Sequence, residues 1–149
     1  MGCCVYRGNE NVNYDLDLYD FSDEKYPRSL QRIAGGNFTI NDCVDDIVTL
    51  KFAVPVPVMP NVKYALRWVT HEGIVFYGEK GMPSINGPDG TKFDFSSTKV
   101  LGYESTTEFR GQIPQILYCH PSKTQVKIFL LHFFHQFMSN PFLALFFHG

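Results

Sequence analysis

The sequence predicts an all-β protein, an antiparallel β-sandwich, and three observations carry that reading. Segments with apolar residues at every second position recur along residues 12–118. Turn chemistry separates them. No stretch before residue 119 repeats its apolar residues every 3.6 positions, as helices covering a parallel sheet would. With 149 residues, 44% hydrophobic and 19% charged, the chain fits one domain with a real core, and a collagen, coiled coil or disordered tail is excluded.

Val12 to Leu18 opens the pattern, with Val12, Tyr14, Leu16 and Leu18 facing a core and Asn13, Asp15 and Asp17 facing water. Asp45 to Ala53 repeats it, placing Val48, Leu50 and Phe52 inward and Ile47, Thr49 and Lys51 on the other side. The run Val54-Pro55-Val56-Pro57-Val58-Met59-Pro60 reads as an extended edge or crossover, because each proline removes a ladder donor and holds its predecessor extended. Val62 to Trp68 then points Val62, Tyr64, Leu66 and Trp68 inward and Lys63 and Arg67 outward. Gly87-Pro88-Asp89-Gly90 has turn chemistry at each position, and Phe93 and Phe95 follow as inward residues. Ile113, Ile116, Leu117 and Tyr118 form a last short strand that Pro114 starts at an edge.

Thirteen Lys and Arg against fifteen Asp and Glu leave a net charge of −2, without the basic surplus that phosphate-backbone binding needs, so nucleic acid is not an expected partner. The four cysteines, Cys3, Cys4, Cys43 and Cys119, have neither zinc-module nor disulfide-scaffold spacing, which suits a reducing compartment. No basic region followed by an apolar run opens the chain, so the cytosol is the expected address. All fifteen acids precede residue 119, and the stretch after it holds seven of the fourteen phenylalanines, with Lys123 and Lys127 as its formal charges. Residues 1–118 are therefore read as the domain and residues 119–149 as an unrelated apolar tail.

Three motifs in order then resemble a family. Asn61-Val62-Lys63-Tyr64-Ala65-Leu66-Arg67, Gly87-Pro88-Asp89-Gly90-Thr91-Lys92-Phe93-Asp94-Phe95-Ser96 and Arg110-Gly111-Gln112-Ile113-Pro114-Gln115-Ile116-Leu117-Tyr118 look like the later part of a PHR domain. The version resembled is that of the Pam/Highwire/RPM E3 ubiquitin-protein ligases of neurons. Asp42 to Val48 and Tyr14 to Leu18 fit the same register. The resemblance starts partway into the family's domain, which implies that the opening strands of the sandwich are absent and that the chain is a fragment or splice form. It implies a non-enzymatic interaction module of a ligase that regulates synapse and axon development, cytoplasmic and in axons or synapses. Its partners would be proteins, and the family's zinc-rich catalytic region would lie elsewhere.

The residues themselves offer little independent chemistry, and neither a catalytic set nor a cofactor or metal site is expected. His71-Glu72 with Glu79 has no accompanying nucleophile and reads as loop polarity. Cys43 and Cys119 would need an electropositive setting to act as catalytic thiols, and Cys43 instead precedes Asp45 and Asp46, which would raise its pKa; both are read as structural. His132 and His135 lie three apart without a third ligand. Gly35-Gly36 and Gly78-x-x-Gly81 lack phosphate-loop context and are read as turns. Met1-Gly2-Cys3-Cys4 looks like an acylation start, but position six is Tyr6. The tail from Lys127 to Phe147 is long enough to suggest membrane association, yet His132, His135, Gln136, Asn140 and Pro141 interrupt it, so that reading is not favoured. Partner binding is expected at sandwich loops, with His71, Glu72, Asp89, Gly90, Arg110 and Gln112 as candidates. The alternative is a jelly-roll-like carbohydrate-binding module in which Trp68, Phe76 and Tyr77 would form a stacking platform.

Overall fold

The computed structural model describes residues 2–87, 90–96, 110–118, 126–129, 136–138 and 142–147. The strands are β1 (Gly2–Tyr6), β2 (Val12–Asp20), β3 (Arg28–Phe38), β4 (Ile47–Lys51), β5 (Tyr64–Glu72), β6 (Val75–Glu79), β7 (Ser84–Asn86), β8 (Lys92–Asp94), β9 (Arg110–Gly111), β10 (Gln115–Tyr118), β11 (Val126–Phe129), β12 (Gln136–Met138) and β13 (Phe142–Phe147). One 3-10 turn, Ile40–Asp42, is the helical element among the described residues. No helix among them is long and apolar enough to cross a membrane.

All strand pairs are antiparallel. One sheet runs β11-β10-β1-β4 and another β13-β5-β2-β3, with a shorter β12-β6-β9 sheet and a separate β7-β8 hairpin. Tyr14, Leu16, Leu18, Leu66 and Trp68 from the second sheet meet Cys3, Val5, Val48, Leu50 and Ile116 from the first in one core, the β-sandwich that the alternation predicted. Trp68 is fully buried; its indole stacks on Tyr14 at 4.6 Å between ring centres and donates through Nε1 to Thr70 Oγ1 at 3.1 Å.

Several elements differ from the sequence reading. Gly2 to Tyr6, where no strand was expected, is a central strand between β4 and β10, with Cys3 and Cys4 both at 0% exposure. Strand β3 has 11 residues where no strand was expected. Its polar outer edge hides the alternation, and Gly35-Gly36, read as a turn, sits inside it. Gly35 takes φ +63 at an irregularity in the β2 register, and a Cβ on Gly36 would come within 2.4 Å of the Tyr14 ring, so the pair lets β3 bend over an aromatic. Strand β5 starts at Tyr64, not Val62, and continues through His71 and Glu72, which makes these two residues strand positions, not loop polarity. Gly73, at φ +87, ends it. Gly78 likewise lies in strand β6, paired with Gly111, and not in a turn.

The face of β2 expected to be wet is also largely covered. Asp17 is 1% exposed and Asp15 8%. Strands β3 and β5 flank β2 and bring arginines to both acids: Arg32 Nη2 is 2.8 Å from Asp15 Oδ2, Arg32 Nε 3.4 Å from Asp17 Oδ1, and Arg67 Nη1 3.1 Å from Asp17 Oδ2. Beyond residue 119, β11 pairs with β10, β12 with β6, and β13 runs along β5 from Phe142↔Val69 to Phe147↔Tyr64.

Candidate functional site

Two ends of the sandwich can be told apart from the strand registers. Asn13 lies opposite Glu72 and Tyr6 opposite Ile47 at one end; Asp20 lies opposite Tyr64 and Gly2 opposite both Lys51 and Leu117 at the other. The sequence candidates divide between them.

Arg110 and Gln112 come together at the first end. The β6–β9 register pairs Gly78 with Gly111 and Glu79 with Arg110, and Gln112 follows β9 directly. Arg110 Nη2 donates to the Tyr77 hydroxyl at 2.7 Å, and the guanidinium carbon stands 4.2 Å from the centre of that ring. The Gln112 carbonyl accepts from the Tyr6 N–H at 3.1 Å, but its side-chain amide oxygen and nitrogen are both buried without a hydrogen-bond partner. Arg110 Nε and Gln115 Oε1 are buried and unpartnered too. Leaving such a group unmatched costs about 1–3 kcal/mol, so atoms this deeply buried are suited to an enclosed water.

Arg7 adjoins this face. Its Nε reaches Asp46 Oδ1 at 2.6 Å, its guanidinium lies 5.0 Å from the Phe76 ring centre, and its carbonyl accepts from the Phe76 N–H. Asp46 is held there by a tight turn in which Asp45 and Asp46 adopt φ +52 and +65 between the bridged residues Val44 and Ile47. Arg7 and Gln115 were not legible as site residues, and Tyr77 was read only as part of a sugar-stacking platform. Gln115 sits in the Arg110 motif, but Arg7 and Tyr77 join only through pairing across long stretches of chain.

His71 and Glu72 stand at the same end, engaged with the fold. His71 Nε2 is 3.2 Å from Asp15 Oδ2, and Glu72 accepts from the Asn13 side-chain amide. The Asp15 carboxyl is held below its ordinary value chiefly by the Gly35 N–H at 2.8 Å, with further help from Arg32 and His71. Gly90 lies in the β7–β8 turn, donating to the Gly87 carbonyl. That hairpin is anchored by Phe93 against Tyr118, ring centres 5.1 Å apart, at the end of β10 remote from Gln112. Asp89 lies outside the described residues, as do Cys119, His132 and His135.

The Cys43 thiol, 3.4 Å from the Thr39 carbonyl it donates to, is pushed up by burial and by Asp42 and Asp46, against the opposing Arg7. Burial raises Cys3 much further. Among the described residues no three His, Cys, Asp or Glu side chains are grouped to hold a metal. The aromatic platform of the carbohydrate-binding alternative is corrected: Trp68, Phe76 and Tyr77 are 0%, 7% and 2% exposed, because Trp68 stacks inside the core and Tyr77 lies beneath Arg110. A sugar ring has no open aromatic face on these residues.

Comparison with known proteins agrees with this geometry. Residues 1–119 match the family described as PHR domain. The E3 ubiquitin-protein ligase highwire of Drosophila melanogaster is 34% identical over 122 residues, covering 78% of this chain and 2% of that protein. The E3 ubiquitin-protein ligase MYCBP2 of Danio rerio is 34% identical over 128 residues, covering 79% of this chain and 3% of that protein. The chain thus spans a few per cent of the length of these relatives. With residues 1–119 matched and the antiparallel sandwich in place, the chain belongs to the PHR-domain family.

Proposed function

We propose that the chain is a protein-interaction module of a PHR-type E3 ubiquitin-protein ligase acting in synapse and axon development, non-catalytic by itself, in the cytoplasm of axons or synapses. The observation that carries the reading is the PHR-domain match over residues 1–119, and the half-buried Arg110, its guanidinium over the Tyr77 ring, is the proposed contact. A guanidinium placed there suits the acidic side chains of another protein. Of the candidates, Arg110 forms the proposed contact, with the buried Gln112 two residues further on; Gly90 lies in the separate β7–β8 turn, while His71 and Glu72 brace β2 and β5.

Competition tests the proposal. Purified chain added to an immobilised PHR-type ligase should displace a partner that the ligase holds through its own PHR domain. Charge-assisted hydrogen bonds contribute about 1.5–3 kcal/mol each, so the Arg110→Ala, Gln112→Ala double variant should compete roughly tenfold less well or worse. Equal competition by the folded double variant would remove this site, and no displacement by the parent chain would remove the function.

A further inference from the structure

The segment Val54–Pro60 connects β4 to β5 and is used by none of the interactions above. It lies at the Asp20–Tyr64 end of the sandwich, opposite the Arg110 face, since it follows Lys51, the register partner of Gly2. Its seven residues are all apolar or proline and none is charged. Val54 and Met59 are 57% and 60% exposed, and Pro55, Pro57 and Pro60 are exposed as well, whereas Val56 and Val58 are partly buried against the core. Apolar side chains left in water on a folded surface call for a partner.

The backbone narrows what that partner is. Three prolines fix φ and supply no N–H, so the strap suits a polyproline II conformation and not a sheet ladder. Its far end is pinned by a turn in which Pro60 precedes Asn61 at φ +60, with the Val62 N–H donating to the Met59 carbonyl, and by the Met59 N–H donating to the Tyr64 hydroxyl at 2.8 Å. In a helix of three residues per turn, Val54, Pro57 and Pro60 fall on one edge, and all three are exposed. The sequence Val56-Pro57-Val58-Met59-Pro60 repeats an apolar-proline pair at the three-residue interval that fills successive slots of an aromatic groove. Behind the strap an open cavity of about 320 Å³, lined by Asp20, Arg28, Leu30, Pro57, Met59 and Tyr64, separates it from the ends of β2 and β3. The strap is therefore fixed at its far end by the turn and in its middle by Val56 and Val58, with Val54, Pro57 and Pro60 left exposed.

We infer that Val54–Pro60 is a preformed proline-rich ligand, docked by a protein domain that carries an aromatic-lined groove for polyproline II segments. Anchoring by Val56, Val58 and the Pro60–Asn61 turn removes part of the ordering cost that a free proline-rich peptide would meet on binding. This contact is independent of the Arg110 face and survives if that proposal fails.

The test uses the full chain and an array of recombinant SH3 and WW domains, followed by titration of an isotopically labelled SH3 domain by nuclear magnetic resonance. Binding should perturb the tyrosine and tryptophan signals of the groove. Pro57→Ala should weaken it at least tenfold, and Met59→Glu, at a position 60% exposed, should do the same with the circular-dichroism spectrum unchanged. The Arg110→Ala, Gln112→Ala variant should bind like the parent. No binding across the array, or equal binding by the folded Pro57→Ala and Met59→Glu variants, would overturn the inference.

Discussion

Asp17 has two arginines within 3.4 Å and almost no contact with solvent, although the alternation of β2 assigns it to the outer face. Periodicity reports which face a residue occupies; it does not report that β3 and β5 will lay Arg32 and Arg67 over that face. The network makes stability depend on pH in a stated direction. Asp15 and Asp20 are held below the ordinary 3.8, Asp15 chiefly by the Gly35 N–H and Asp20 chiefly by the Ser22 hydroxyl and N–H. Their folded values being depressed, their contribution is complete above about pH 4 and is lost as pH falls through the lower folded values. Urea midpoints measured from neutral pH down to acid should therefore fall below pH 4, and Asp15→Asn should flatten that fall while lowering the midpoint at neutrality. Gly36 gives a second prediction. Its missing side chain leaves room for the Tyr14 ring, which is confined by Trp68 and Phe38, so Gly36→Ala should cost about 1–3 kcal/mol by chemical denaturation.

Strands whose inward residues recur at period two were legible: β2, β4 and β5 bury Tyr14, Leu16 and Leu18, Val48 and Leu50, and Tyr64, Leu66 and Trp68 as expected. Strands β1 and β3 were not, for opposite reasons. Every residue of β1 is buried, so it shows no alternation, and the neighbouring cysteines suggested lipid chemistry instead. Most residues of β3 are exposed or half-buried, so polarity and the Gly35-Gly36 pair mask its strand character. Pairing across the chain decides both, and no local pattern records it. The same holds for β13, whose composition suggested a tail but whose register follows β5 over six residue pairs. Ala144 lies opposite Arg67 in that ladder, so Ala144→Pro removes a donor from its middle. Hydrogen exchange at the Tyr64 to Val69 amides should speed up in that variant and stay slow at β10; unchanged β5 exchange would show that β13 does not protect it.

At the scale of the molecule, the chain offers a polar face around Arg110 and a proline strap at opposite ends of one sandwich, with the Cys3 and Cys43 thiols pushed up by burial. Burial and two nearby carboxylates raise the Cys43 thiol, the reverse of what thioester chemistry requires. Incubated with activating and conjugating enzymes, the chain should accumulate no thiol-sensitive ubiquitin adduct; an adduct mapped to Cys43 or Cys119 would refute the non-catalytic assignment. The position of β1 bears on something else, the order in which the protein is made. Strands β2, β3 and β5 can pair once Glu72 has left the ribosome, whereas β1 finds β4 early but must wait for Gln115 to Leu117 before its other edge is covered. Until then a strand whose every side chain belongs in the interior stands half paired. Residues 2–6 are thus enclosed on both edges only late, and a pause in translation before residue 115 would lengthen their exposure to chaperones.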